Sequence, residues 1–403
     1  MSDVLREICS IALFRNVREK EPLKSLCDFL LKMGPGFSME EMIDSYGHFV
    51  SVLYEMRPDA DLSAAIWDTL SEDMNPFLRY KIDSITSPDS GKKMSTLIKL
   101  TAERELDLLT RIGNYTSFDF KDAMVYDGYL PDFTSSHIDF KKRYMKMIDQ
   151  IETSGYGVYS RCDFFRIKDG NLMPVKTPDP ICAEDMFCYE RQRSRVYDNT
   201  RAFAAGKAFE DVLLYGDAGT GKSSTVKTAA RMFFDQGVRL VEVPKSELHH
   251  LSEVFELLSE VPMKFILFID DISFDADDDR IGTLKSVIEG AAGGGRKNIA
   301  VYATSNRRHM IKETFSAREN EIHTSDTIAE QMSLSERFGL RILFDKPNKD
   351  TYLEIVQGLC KLRGIEADRE KLSQAAELYA IRGGGRSARI ARQFVDSLGG
   401  PIL

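Results

Sequence analysis

The sequence predicts an α/β protein: a mostly parallel sheet flanked by helices, preceded by a mostly helical region and a β-hairpin. Three observations carry this. From Asp211 onward, short apolar strands alternate with amphipathic helices, the pattern of a parallel sheet covered by helices. Before residue 155, apolar positions recur at helical spacing with turn residues between them. Between these parts lies one stretch of aromatic and β-branched residues around a two-residue turn pair.

In the first part, helical period runs through Val4–Phe14, Leu23–Leu31, Met39–Tyr54, Leu62–Leu70 and Met94–Ile112. Gly34-Pro35-Gly36, Pro58, Pro76 and Pro88 break it, so a bundle of about five short helices is expected. Residues 114–136 are rich in aromatics and Asp, lack a clear period and read as irregular. A helix follows over Ile138–Ile151, and its Lys141, Lys142, Arg143 and Lys146 read as a solvated face. Gly157–Ile167, the pair Asp169-Gly170 and Leu172–Val175 then spell a hairpin. Pro174, Pro178 and Pro180 end regular structure and make 176–182 the natural linker. The expected organisation is a helical N-terminal domain over 1–155, hairpin and linker over 156–182, and an α/β domain opening with a helix from Ala183 to Phe203.

Composition narrows the function classes. Of 403 residues, 43% are apolar and 29% charged, which is globular rather than disordered or fibrous. No apolar run approaches membrane-span length, and the opening MSDVLREICS has neither a basic flank nor a signal-type apolar core. A cytoplasmic protein without membrane contact is expected. With 54 basic against 63 acidic residues, the net charge of −9 disfavours a nucleic-acid-coating protein, though it leaves room for a local basic groove. Six cysteines without a CxxC pair fit reduced thiols better than zinc or disulfides.

The strongest chemical signal is Gly216-Asp217-Ala218-Gly219-Thr220-Gly221-Lys222-Ser223, a full GxxxxGK[ST] phosphate loop. Val212–Tyr215 is the strand that feeds it and Ser223–Phe234 the helix that leaves it. The glycines let backbone N–H groups turn inward around a phosphate, and the helix N-terminus adds favourable partial charge. Lys222 is expected to reach the β- and γ-phosphates of ATP, Ser223 to ligate Mg²⁺, and Ser224 to complete the nucleotide-binding run. A second signal is Phe265–Ile269, five consecutive apolar residues suited to a central strand, followed by Asp270-Asp271. Ligands of parallel sheets gather at such strand ends. Asp270 is expected in the Mg²⁺ shell, and Asp271 as the general base that polarises the attacking water. Asp275, Asp277, Asp278 and Asp279 lack the Gly and terminal Glu of a calcium loop and read as a solvated turn and helix cap.

A phosphate loop, an apolar strand ending in Asp-Asp, and Ile299–Ala303 ending in Thr304-Ser305-Asn306 together resemble the core of AAA+ ATPases. Ser335-Glu336-Arg337-Phe338-Gly339 resembles the box that carries their arginine finger. Gly385-Arg386-Ser387-Ala388-Arg389 opens a late helix as their second sensor motif does. The resemblance covers roughly 183–403. The run from LLYGDAGTGKSS through FIDDISF and YATSNRRH to LSERFG is most similar to an uncharacterised family of bacterial stand-alone AAA+ ATP-binding proteins.

The resemblance implies a nucleotide-binding domain over 183–346 and a small helical lid over 347–403. It implies Asn306 as first sensor, Arg389 as second sensor, and Arg337 as a finger acting in trans on the next subunit's nucleotide, hence a homo-oligomeric ring or filament. Arg382, Arg386, Arg389 and Arg392 follow a spacing that suits one basic helical face, unless Gly383–Gly385 interrupts it. Two departures stand out. Asp271 occupies the place of the usual Glu, one methylene shorter, and no aromatic–hydrophobic–Gly triplet lies between Val243 and Phe265. The function expected is Mg²⁺-dependent ATP hydrolysis coupled to remodelling or loading of a macromolecular client. DNA is an unfavoured client despite Arg307-Arg308-His309. The alternative is a nucleotide-gated scaffold with little turnover. A small-molecule kinase has no use for the finger box and two sensors.

Overall fold

The structure is a computed structural model and describes residues 2–87, 94–175, 186–272, 280–290, 298–306 and 333–398. Pro88, the 176–182 linker, the residues 183–185 that open the next expected helix, Asp275, Asp277, Asp278, Asp279 and Arg307-Arg308-His309 lie outside the described residues. The chain forms two compact units, Met1–Arg161 and Cys162–Leu403.

The first unit is helical: α1 (Ser2–Cys9), α2 (Arg15–Arg18), α3 (Leu23–Lys32), α4 (Met39–Met56), α5 (Leu62–Glu72), α6 (Pro76–Thr86), α7 (Thr96–Gly113), α8 (Ser117–Met124), α9 (Phe140–Asp149) and α10 (Ile151–Ser154). Two of these correct the sequence reading. The break expected at Pro76 is there, with residues 73–75 outside any helix. The proline also starts α6, which the sequence reading lacked, because a proline at the first helical position gives up only an N–H that has no intrahelical partner. Asn75 caps that helix from the Leu78 N–H. Within 114–136, read as irregular, Thr116 and Asp119 form a reciprocal cap that starts α8. Aromatic rings knit the core, with Phe29 packed edge-on against Tyr46 and Phe120, and Phe14 against Tyr144. The basic face of α9 is solvated as read, with Lys141 paired to Asp107 and Arg143 lying over the Trp67 ring.

The second unit carries β1 (Phe164–Lys168), β2 (Asn171–Pro174), α11 (Glu190–Ala204), β3 (Val212–Gly216), α12 (Lys222–Met232), β4 (Val238–Glu242), α13 (Leu251–Ser259), β5 (Lys264–Ile269), α14 (Arg280–Gly290) and β6 (Ile299–Ser305). A short helix α15 over 333–336 follows, then β7 (Leu340–Phe344), α16 (Lys349–Leu362), α17 (Arg369–Arg382) and α18 (Ala388–Leu398). The seven strands lie in the order β2-β1-β4-β5-β6-β3-β7, all parallel except the β1–β2 hairpin. The hairpin therefore does not stand apart as a connector. It edges the sheet, where Pro174, lacking an N–H, is tolerated on the outermost strand. Phe265–Ile269 of β5 are fully buried, as a strand covered on both faces requires, and each such side chain contributes roughly 1.5–3 kcal/mol. Helices α16 and α18 pack on α17 around Tyr352, Ile355, Leu372 and Phe394 to form a small C-terminal bundle.

Candidate functional site

The site is built where β3, β5 and β6 end. Gly216 closes β3 at φ +125°, and a Cβ there would lie 2.2 Å from the Phe344 carbonyl oxygen, so only glycine fits beside β7. Gly219 and Gly221 also take positive φ, and the chain then enters α12 at Lys222. The Asp217 carboxylate accepts from the Lys346 N–H at 2.8 Å, tying the loop to the segment after β7.

Lys222 is buried, and its Nζ donates to the carbonyls of Gly216 (3.0 Å) and Asp217 (2.7 Å) and to Asn306 Oδ1 (2.9 Å). Burial pushes its ammonium down to about 8, opposed by Asp217, Asp271 and Asp270 and assisted by Arg389. The order of the strands explains the reach of Asn306: β6 lies between β3 and β5, so its end falls between the phosphate loop and the two carboxylates. Asn306 Nδ2 donates to Asp271 Oδ1 at 2.6 Å, and Lys245 Nζ stands 3.5 Å from Asp271 Oδ2. Asp271 itself sits in the left-handed region at φ +55°, an unusual backbone for a non-glycine residue. Its N–H donates to Thr304 Oγ1 at 2.7 Å. That hydroxyl donates in turn to Asp270 Oδ1 at 2.6 Å, the same oxygen that accepts from Ser223 Oγ at 2.6 Å.

Lys222, Ser223, Asp270, Asp271, Thr304 and Asn306 border a cavity of about 540 Å³. Of the residues expected from sequence, Gly219, Thr220, Gly221, Lys222, Ser223, Ser224, Asp270, Asp271, Asn306 and Arg389 line it. Gly216, Asp217 and Ala218 shape the loop without lining the cavity. Arg337 is not in the lining: it follows the short helix α15, and its Nη1 donates to Ser333 O (2.9 Å) and Ser333 Oγ (2.7 Å) at the start of that helix. The four late arginines do not share a face. Arg382 ends α17, Gly384 and Gly385 turn the chain at positive φ, and Arg386 is held by both oxygens of Glu377. Only Arg389 and Arg392, one turn apart on α18, line the cavity.

Sequence reasoning missed several participants. Thr304 lies in the Thr-Ser-Asn run but received no role, and Arg392 shares the i,i+3 spacing of Arg389. Lys245, Met186, Phe187, Ile355 and Leu359 carry no local signal, because they arrive from elements distant in sequence. The last four, with Ala388, are the apolar part of the cavity lining, and Met186 reaches to 3.8 Å from where a Cβ on Gly221 would stand.

The donor set suits a hard divalent cation. Ser223 Oγ and Asp270 Oδ1 are neighbouring oxygens, and magnesium is commonly held by one or two protein oxygens completed by phosphate and water. Among the described residues no cluster of three or more His, Cys, Asp or Glu side chains holds a metal alone, and no helix is long and apolar enough to cross a membrane.

Among solved structures, the chain is similar to the Thermotoga maritima RuvB Holliday junction branch migration motor, with 15% identity and a TM-score of 0.33 over 54% of this chain and 72% of that one. It is also similar to the replication initiator DnaA bound to AMPPCP and single-stranded DNA, with 15% identity and a TM-score of 0.41 over 56% and 66%. No curated protein matches the sequence. Residues 160–402 match the family model described as "Protein of unknown function (DUF815)", and the chain, matched over more than half its length, belongs to that family.

Proposed function

We propose that Cys162–Leu403 bind ATP with Mg²⁺ and hydrolyse it in the manner of the AAA+ ATPases the sequence resembles, and that turnover remodels or loads a macromolecular client. One observation carries the reading: a single hydrogen-bonded chain, Lys222–Asn306–Asp271, joins the phosphate loop to a carboxylate at the edge of a cavity that is also lined by apolar side chains. The apolar side chains Met186, Phe187, Ile355 and Leu359 suit a purine base, and the loop N–H groups suit phosphates. Lys222 and the loop N–H groups bind the phosphate oxygens, and Arg389 adds positive charge from the lid side. Ser223 and Asp270 would hold Mg²⁺, which when bound supplies charge neutralisation at the phosphate oxygens. Asp271 accepts a proton from the attacking water, and Asn306 orients that water against the terminal phosphate.

Arg337, outside its own chain's cavity, is assigned to a neighbouring subunit's nucleotide in a head-to-tail oligomer. The net charge of −9 argues against DNA as the client. A second reading, a nucleotide-gated scaffold with little turnover, is favoured by one feature: Asp271 is shorter than Glu, and Asn306 and Lys245 engage both of its oxygens.

Phosphate release from Mg-ATP separates the readings. Turnover that falls about 100-fold or more in Asp271→Asn and in Arg337→Ala, with ATP still bound by both, supports the hydrolase. Tight binding with negligible wild-type turnover supports the scaffold.

A further inference from the structure

The α11 residue Arg193 touches no phosphate-loop atom, yet its side chain is nine-tenths buried behind the cavity wall. Its Nη1 donates to the Met186 carbonyl, and its Nη2 donates to Glu190 Oε1 at 3.1 Å. Its Nε is buried without a hydrogen-bond partner among the described residues. Desolvating a guanidinium is unfavourable unless its bonds compensate, so this residue's effect resides in the two bonds it makes. One of them fixes the segment that forms the apolar wall.

That segment needs fixing. Cys188 and Tyr189 follow at φ +62° and +59°, two consecutive left-handed residues that are not glycine. Met186 lies against the phosphate-loop side, its sulfur accepting from Thr228 Oγ1 at 3.5 Å. Phe187 packs on the other side, so close to Gly358 of α16 that a Cβ there would meet its ring at 2.3 Å. The Tyr189 hydroxyl donates to the Asp345 carbonyl at 2.6 Å. Four successive residues thus run from the phosphate loop to the C-terminal bundle, and Arg193 grips the first of them.

We infer that Arg193 is a positioning residue for the base-binding end of the cavity: through the Met186 carbonyl it holds Met186 and Phe187 where they pack on the purine. The inference rests on the nucleotide reading above. It separates the two ends of the ligand, because Arg193 bonds to the Met186 carbonyl and Glu190 and not to Lys222, Ser223 or the carboxylates.

The experiment compares ATP with inorganic tripolyphosphate, which carries phosphates and no base, on the full chain. Arg193→Met is expected to weaken ATP binding and raise KM about 10-fold, with kcat held within twofold and tripolyphosphate binding unchanged. Arg193→Lys, which keeps a donor for the Met186 carbonyl, is expected to recover most of the loss. Phe187→Ala, which removes the wall without touching Arg193, is expected to reproduce the ATP-selective loss. In combination with Arg193→Met the two losses should fall short of additive. Equal weakening of ATP and tripolyphosphate, or a fall in kcat at constant KM, overturns the inference. Normal ATP selectivity in Phe187→Ala also overturns it, whether or not the arginine variants fold. A wild-type chain that binds tripolyphosphate and ATP equally refutes the base wall while sparing the phosphate site. One that binds neither refutes the nucleotide reading and the inference with it.

Discussion

In the helical unit, Glu105 commits both carboxylate oxygens to the backbone N–H groups of Ala12, Leu13 and Phe14. In the α/β unit, Lys222, Asn306 and Asp271 pass hydrogen bonds to one another along the wall of a cavity. The contrast extends to their neighbours. Asn75 caps α6 and donates to the Tyr144 hydroxyl, and Ser63 Oγ accepts from the Ile138 N–H, so these groups finish their bonding inside the helical unit. Ser223, Asp270 and Thr304 also bond to one another, but Ser223 and Asp270 present hard oxygens where a ligand can take them over. A closed polar network holds a fold together, whereas one that borders a cavity has a second use.

The largest effect expected from this contrast is at Lys222. On the proposed function, Lys222→Ala removes the charge assigned to the phosphates and should weaken ATP binding by about 100- to 1,000-fold. Titration calorimetry measures this directly. Trp67, the only tryptophan of the chain, lies in α5, so its fluorescence reports on the helical unit. Its unfolding midpoint should not move in Lys222→Ala. A shift of that midpoint would break the contrast by showing that the cavity's lysine also supports the helical unit.

Glu105→Gln tests the other half. The amide turns a donor toward three backbone donors and leaves at least one unsatisfied, which should lower the helical unit's stability by about 2–4 kcal/mol. Urea unfolding followed by Trp67 fluorescence would show it, with ATP affinity unchanged. Loss of ATP affinity in step with the loss of stability would mean that the two units do not work separately.

Legibility in the sequence follows the same division. The phosphate loop, the Phe265–Ile269 strand and its two carboxylates are local patterns, so periodicity and spacing expose them. The helical period of α3, α4, α5 and α7 is equally local, and their bounds lie within a few residues of those expected. What stayed hidden depends on long-range pairing. β1 joins the sheet only through Phe164–Arg166 against Leu240–Glu242, about seventy-five residues onward. Lys245 reaches Asp271, and Met186 and Phe187 reach the cavity, by packing that no spacing rule records. Pro76 hid a helix for a different reason: it marks the break after α5 and also opens α6, with Asn75 as the cap.

The smallest expected effect concerns Asp211, which laces three strands of the α/β unit. Its Oδ1 accepts from the Val301 N–H at 2.6 Å on β6, and its carbonyl accepts from the Leu340 N–H at 3.0 Å on β7. Burial pushes its carboxyl up to about 7, with Glu210 adding to the rise and the Val301 bond opposing it. In the unfolded chain the same group titrates near 4. Between about 4 and about 7, the folded chain therefore holds a proton that the unfolded chain has lost. Stability from this group is full below the unfolded value and declines as pH rises through the folded one. Asp211→Asn keeps an acceptor oxygen for Val301 and removes the titration. It should flatten the α/β unit's stability between pH 4 and 8 and raise it at pH 8 by about 1–2 kcal/mol, a figure reduced for the solvent that reaches this partly exposed group. Thermal unfolding by far-UV circular dichroism would show the flattening, while Trp67 fluorescence keeps the pH profile of the helical unit. A parallel change in both signals would mean that the proton on Asp211 is felt beyond the sheet it laces, and the separation between the units would fail at its weakest point.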